Sequence, residues 1–420
     1  MIELQEPDRR IAYLTGHYPK VSHTFILREV EALRALGIEV LTCSIRLPDA
    51  AEFRGEEELR ARDETFYVLA AARNPLRLLA AHARAFARSP RGWLSALALA
   101  WRIRPPGLKA LVWQMFYFLE AGVLAEHLRT RGVRHLHNHF GDSSCTVAML
   151  TSTISGIPFS FTEHGPNIFF EAGRWALDEK IARARFVVAI SHFCRSQLML
   201  FSRPGDWGKI AIVHCGVAPA AYGRQPRGAF GKRLIFVGRL DPVKGAPLLI
   251  EAFARILSAH PEARLTIVGD GSSRAGAEAR ARELGVAADV TFAGFRSQPE
   301  VARMLEEADL LVLPSFAEGV PVVLMEAMAS HIPVIASRVA GVQELVEDGV
   351  SGFTVPPGDV ATLAEKIGRI LSDPEATRAM GAAGRQVVER EFDIARESAW
   401  LAEILRGDAR GRLRPGDSPD

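Results

Sequence analysis

The chain of 420 residues is poor in cysteine, with only Cys43, Cys145, Cys194 and Cys215. No two of them form a C-x-x-C pair. This excludes a disulfide-stapled scaffold and a short-spaced zinc site, and a reducing, cytosolic setting is expected. Charge of one sign is not in excess either, since 51 Lys and Arg face 49 Asp and Glu. A general polyanion binder is therefore not indicated, and nucleic acid is not an expected partner. No apolar h-region follows MIELQEPDRR, so no secretory signal is expected there. The apolar stretches near 93–101 and 110–125 are too short or too interrupted to span a bilayer comfortably.

Several chemistries lack their residues. There is no G-x-x-x-x-G-K-[ST] loop, no complete G-x-G-x-x-G after a strand and no G-x-S-x-G elbow, which removes P-loop, dinucleotide and α/β-hydrolase readings. No Tyr is followed four residues later by Lys, and no D-x-D pair occurs. Neither a metal nor a cofactor is expected.

What is present is a rhythm. RLIFVG (233–238), RLTIVG (264–269), VTFAG (290–294), LLVLPS (310–315) and PVIAS (333–337) are short apolar runs, each followed by a 3.6-period segment. Such alternation predicts parallel strands covered on both faces by helices. The first half repeats it at IAYLT (11–15), EVLTCSI (39–45), FYVL (66–69), VRHLHNHF (133–140), FSFTEH (159–164), FVVAIS (186–191) and IAIVHCG (210–216). The fold class expected is α/β, with two doubly wound Rossmann-like domains facing across a ligand-binding cleft. The N-terminal domain is placed at 1–215 with a helical insert at 71–131, a Gly/Pro-rich linker at 216–232 and the second domain at 233–392. A C-terminal helix at 393–406 is expected to cross back to the first domain, and 407–420 reads as a disordered tail.

Two segments carry the chemistry. In SFAEGVPVVLMEAMASHIPVIAS (315–337), Glu318 follows a strand and Glu326 lies in a helix starting near Val320–Pro321. The N–H groups at such a start suit a phosphate. Carboxylates here suit sugar hydroxyls and a ribose diol; the alternative is a pair of solvated glutamates on a surface helix. GRLDPVKG (238–245) presents Arg239 and Lys244 after the first strand of the same sheet, where fixed cations would meet a diphosphate leaving group. His135, His137 and His139 share one strand face, which invites a zinc reading, but no fourth ligand is suggested and a hydrogen-bonded strand end is preferred.

With FVGRLDPVKG, IVGDG, FAGF, ADLLVLPSFAEGVPVVLMEAMAS and G-x-x-E-L-V in this order, residues 233–371 resemble the donor half of retaining glycosyltransferases of family 4, which have the GT-B fold. The first half, through YPKVSHTFILREVEAL, HLHNHFG, IPFSFTEHGPNIF and ISHFCRSQL, is similar to the bacterial exopolysaccharide (colanic-acid-type) branch. The resemblance implies a nucleoside-diphosphate-sugar donor: Glu318 on sugar hydroxyls, Glu326 on the ribose, Arg239 and Lys244 on the diphosphate. It further implies Gly319, Val320 and Val322 at the phosphate-binding helix start, Phe295 and Arg296 by the base, and His164 against the donor sugar. Acceptor-side candidates are Ser22, His23, Thr24, His139 and Asn167. His23 stands where the branch usually has Glu and Asn167 where it usually has Asp, which bears on acceptor or sugar preference. A nucleotide-sugar 2-epimerase of the same fold and a non-catalytic carbohydrate-binding relative stay open as alternatives.

Residues 71–110 contain eight Arg or Lys and no Asp or Glu, with Leu76, Leu79, Phe86, Trp93, Leu97, Leu99, Trp101 and Ile103 interleaved. The expectation is a peripheral protein on an anionic membrane, at the inner face of the cell membrane, handling a lipid-linked saccharide acceptor. An ordinary helical layer with snorkelling arginines is the alternative.

Overall fold

A computed structural model describes residues 10–20, 23–49, 55–224, 229–407 and 412–414. The chain divides into two compact units, 1–213 with 398–420, and 214–397.

The first unit holds a sheet of β1 (Arg10–His17), β2 (Glu39–Arg46), β3 (Phe66–Tyr67), β4 (His135–His139), β5 (Phe159–Glu163), β6 (Val187–Ala189) and β7 (Ile210–Ile212). The order is β3-β2-β1-β4-β5-β6-β7, and every pair is parallel. The strand expected at 66–69 ends after two residues because Val68–Ala72 is a helix. Its Leu and Ala content favours that outcome at an edge strand, which has one partner to hold it. Trp400, 1% exposed, is buried in the same core as Tyr13, Ile26, Leu33 and Val188, and its indole N–H donates to Ile212 O at 2.9 Å.

The helical insert is punctuated by its own sequence. Asn74 caps Pro75–Arg88 by accepting from Leu76 and Arg77 N–H, and Ser89 caps Pro90–Arg102 by accepting from Gly92 N–H. Each proline sits at a helix start, where a missing N–H costs nothing. The third helix, Leu108–Thr130, follows Pro105 and Pro106.

The second unit holds β8 (Arg233–Val237), β9 (Arg264–Val268), β10 (Val290–Gly294), β11 (Leu310–Leu313), β12 (Val334–Ser337) and β13 (Gly352–Val355). The order is β10-β9-β8-β11-β12-β13. β13, in the short run GFTV, was not anticipated. It pairs in register with β12 from Val334↔Gly352 to Ser337↔Val355.

The stretch expected as a linker is partly structured: Val217 bridges to Asp393 and Pro219–Ala221 forms a 3₁₀ turn. Residues 225–228 of that stretch lie outside the described residues. In the expected tail, 408–411 and 415–420 also lie outside them, while Leu413 O accepts Ile212 N–H at 3.0 Å. This bond uses a donor that edge strand β7 would otherwise leave to solvent.

Candidate functional site

β8 and β11 are neighbours where the strand order of the second sheet reverses, so the loops after them open side by side. Lys244 closes the 3₁₀ turn Pro242–Lys244 after β8, and Glu318 follows β11. Lys244 Nζ donates to Glu318 Oε1 at 2.7 Å, with side chains 21% and 10% exposed. Phe316 N–H donates to Val243 O at 2.7 Å and ties the loops together. Gly245 has φ 68°, and a Cβ there would strike Pro314 O. Only glycine permits this approach.

Arg239, expected beside Lys244, instead pairs through Nη1 with Asp241 Oδ2 at 2.8 Å and is 68% exposed. The structure thus brings Lys244 to Glu318 and leaves Arg239 in solvent next to Asp241. The G-D-G fragment serves this loop: Leu240 N–H donates to Asp270 O at 2.9 Å, and a Cβ on Gly269 (φ 131°) would collide with Gly238 O.

The helix expected near Val320–Pro321 runs Val322–Ala329, with Pro321 as an N-cap that makes no side-chain bond. Gly319 and Val322 are half-buried and Val320 is buried. Glu326, 3% exposed, accepts the Tyr222 hydroxyl at 3.0 Å. Neither glutamate is a solvated surface residue, which removes the alternative left open by the sequence. Phe295 and Arg296 occupy the loop between β10 and the helix Gln298–Glu307, where Arg296 Nη1 donates to Phe295 O at 3.1 Å.

The first unit gathers a second group along β4 and its neighbours β1 and β5, from His135 at the amino end of β4 to His139 at its carboxyl end. His135 Nε2 and His137 Nδ1 both meet Ser160 Oγ, at 2.6 and 2.7 Å, and His137 Nε2 meets Thr162 Oγ1 at 2.9 Å. His139 Nδ1 lies 2.8 Å from His164 Nε2, and its Nε2 faces Glu29 Oε1 at 3.5 Å. Glu29 Oε1 also accepts the Tyr13 hydroxyl at 2.6 Å. Ligand atoms of Glu29, His137 and His139 come within 4.8 Å of one another, yet both nitrogens of His137 already have hydroxyl partners. The group reads as a hydrogen-bonded network. Burial, with His139 and His23 nearby, holds His164 well below the usual imidazole range, hence neutral at pH 7.

Among the acceptor-side candidates, the His23 ring packs tilted against Phe140 with centroids 4.9 Å apart, and Thr24 begins the helix Thr24–Ala35. Asn167 is exposed at the start of Asn167–Phe170. Ser22 lies outside the described residues. Sequence reasoning missed Glu163, whose buried carboxylate accepts from Gly141, His164 and Gly165 N–H at 2.7, 3.0 and 3.4 Å. It also missed Lys180, fully buried, which donates to Gly141 O and Asp142 O at 2.7 and 2.8 Å. An acid directly before His164 was a usable signal; Lys180 had none.

Residues 228–387 match the family model for glycosyl transferases group 1. The fold is GT-B, and the matched stretch covers most of the second unit. It is 34% identical to the amylovoran biosynthesis glycosyltransferase AmsK of Erwinia amylovora, over 53% of this chain and 56% of that protein. It is 25% identical to the putative colanic acid biosynthesis glycosyltransferase WcaL of Salmonella typhimurium, over 94% of this chain and 99% of the relative. The chain spans about half the length of several curated relatives it matches, AmsK among them. Anabaena Alr3699/HepE in complex with UDP superposes with a TM-score of 0.71 at 19% identity, covering 95% of this chain and 100% of that one. This GT-B fold is the one expected from the sequence.

Proposed function

We propose that the protein transfers a sugar from a nucleoside diphosphate to an acceptor hydroxyl, with retention at the anomeric carbon. The observation that carries the reading is the 2.7 Å contact of Lys244 with Glu318 inside the group 1 domain. It sets a cation and a carboxylate together at the strand ends where the sheet order reverses, and a diphosphate sugar needs both.

In this reading Lys244, Arg239 and the first-turn N–H groups near Gly319, Val320 and Val322 receive the diphosphate. Glu318 accepts sugar hydroxyls, Glu326 takes the ribose, the backbone at Phe295 and Arg296 meets the base, and His164 contacts the donor sugar. The anomeric C–O bond breaks toward the diphosphate, whose developing charge the cations and N–H dipoles stabilise by several kcal/mol. The acceptor oxygen attacks from the same face, and the leaving phosphate oxygen takes its proton. The cations fill the part a metal plays elsewhere. Ser22, His23, Thr24, His139 and Asn167 form the acceptor side.

The acceptor is a lipid-linked saccharide of exopolysaccharide or cell-surface polysaccharide synthesis, and residues 71–110 hold the protein to an anionic leaflet. AmsK and WcaL, named for amylovoran and colanic acid biosynthesis, support the polysaccharide part. A donor screen with purified protein and isolated membrane lipids tests the proposal: transfer from one nucleoside-diphosphate sugar is expected. Epimerisation of free nucleotide sugar without any acceptor, and no transfer, would replace it with the 2-epimerase reading.

A further inference from the structure

The helical insert is not uniformly amphipathic in three dimensions. Of the eighteen large hydrophobic side chains exposed among the described residues, nine fall between residues 76 and 116. Their distribution follows from how the three helices run. His82 Nε2 lies 3.0 Å from Leu119 O, and Arg88 Nη1 lies 2.6 Å from Glu126 Oε2. Six residues along one helix match seven along the other, so Pro75–Arg88 and Leu108–Thr130 run side by side in the same direction. At the common helical rise, Leu76 and Leu79 stand level with Trp113 and Phe116. Trp101 lies at the end of the second helix, shortly before Leu108, with the Arg104 guanidinium 3.7 Å above its ring.

One end of the bundle therefore gathers Leu76, Leu79, Trp101, Leu108, Trp113 and Phe116, all exposed. Other apolar residues of the insert are spent inside it. Trp93 packs edge-on to Phe86 and Phe118 at 5.5 and 5.0 Å, and Leu99 and Ile103 are buried.

The apolar end has a fixed place on its own unit. The Tyr117 hydroxyl meets the Ser143 side chain, in the first turn of the helix that follows β4. Arg102 pairs with Glu179 at 2.9 Å, next to Lys180, which binds the carbonyls of Gly141 and Asp142. The end thus flanks the carboxyl edge of the first sheet, where His139 and His164 lie.

Charge separates the possible occupants. Arg84 and Arg88 share Glu126 and Arg102 takes Glu179, so these cations are partly neutralised. Arg73, Arg77 and Lys109, at the apolar end, are exposed and in no ion pair among the described residues. A second copy of the chain would bring like charge against like. An anionic bilayer offers headgroups to the cations, an interfacial layer to the Trp rings and acyl chains to the leucines. Leu108–Thr130 is long and apolar enough to cross a membrane by composition, but most of its second half is buried in the unit. That packing fits contact with the bilayer surface and not a crossing.

We propose that this apolar end inserts into an anionic lipid surface, turning the carboxyl edge of the first sheet toward the headgroups. The inference deepens the membrane part of the function proposed above, and its test does not depend on sugar transfer. All four cysteines are buried, so a single cysteine placed at Phe116 or, as a control, at Leu200 on a distant helix takes a polarity-sensitive dye selectively. With phosphatidylcholine–phosphatidylglycerol vesicles at low salt, the dye at 116 should shift to the blue and the dye at 200 should not. The full chain should co-sediment and detach as salt rises. The double variant Leu79→Glu/Trp113→Glu should bind about tenfold or more weakly with an unchanged melting curve, and Leu200→Glu should bind as the parent does. Equal binding by the double variant, or no binding at low salt by a folded parent, overturns the inference. So does a parent that dimerises without vesicles and becomes monomeric on Trp113→Glu while vesicle binding persists. If vesicle binding behaves as expected but no sugar is transferred, the docking surface stands and the catalytic reading fails.

Discussion

The buried carboxylate of Glu163 holds the backbone N–H of His164 at 3.0 Å. Its other oxygen holds Gly141 N–H at 2.7 Å, so one side chain ties the loop after β4 to the loop after β5. Burial pushes its carboxyl up to about 7, against the pull of three N–H donors. Glu163 is a positioning residue in this arrangement: it sets the loop on which His164 stands.

The shift at Glu163 has a sign that can be measured. The folded pKa lies above the ordinary glutamate value of 4.5, so between about 4.5 and 7 the folded protein keeps a proton that the unfolded chain releases. Stability from this group is present below that window and lost as pH rises through it. Relative to the parent, Glu163→Gln should lose this falling contribution to the melting temperature across the window, at a baseline cost of about 1–3 kcal/mol because an amide cannot accept at both ends. Glu120, also raised to about 7, and the buried imidazoles of His135 and His164, held low and acting in the opposite direction, are untouched, so the difference between parent and variant is what is read. Identical slopes in parent and variant would discard the assignment.

Lys244 and Glu318 should behave as a coupled pair. Lys244→Ala is expected to cost roughly 2–4 kcal/mol of transition-state stabilisation with the fold intact. Joined to Glu318→Ala, it should fall short of additivity by about 0.5–3 kcal/mol, since each partner loses the other. Arg239→Ala should also depress turnover. Unchanged turnover in the Arg239 and Lys244 variants would remove both from the diphosphate.

Glu318 and Glu326 should divide the donor between them. Glu318→Ala should lower turnover more than nucleoside-diphosphate affinity, and Glu326→Ala the reverse. Tyr222→Phe removes the hydroxyl that Glu326 holds at 3.0 Å and should weaken nucleotide binding in the same direction. Isothermal titration reads this directly. Equal affinity losses in the two glutamate variants would show the division to be wrong.

Transfer should persist in excess chelator, because no D-x-D pair exists and Lys244, Arg239 and helix N–H groups meet the phosphate charge. Complete loss of activity in EDTA, restored by a divalent cation, would redirect attention to Glu29, His137 and His139.

The sequence by itself determined the two parallel sheets, because runs such as RLIFV and LLVL bury on both faces only between helices. It also placed Lys244 and Glu318 in loops at the carboxyl ends of strands, since the loops follow from where the apolar runs end, while the adjacency of β8 and β11 belongs to the tertiary structure. Tertiary structure alone decided the rest. β13 is four residues opening with glycine and becomes a strand only through pairing with β12. Glu326 is buried because Tyr222, 104 positions away, reaches it. Residues 71–110 look evenly basic and apolar, but packing conceals Leu99 and Ile103 and salt bridges engage Arg84, Arg88 and Arg102. Burial and pairing are properties of distant partners, and a local pattern cannot state which face of a helix will find one.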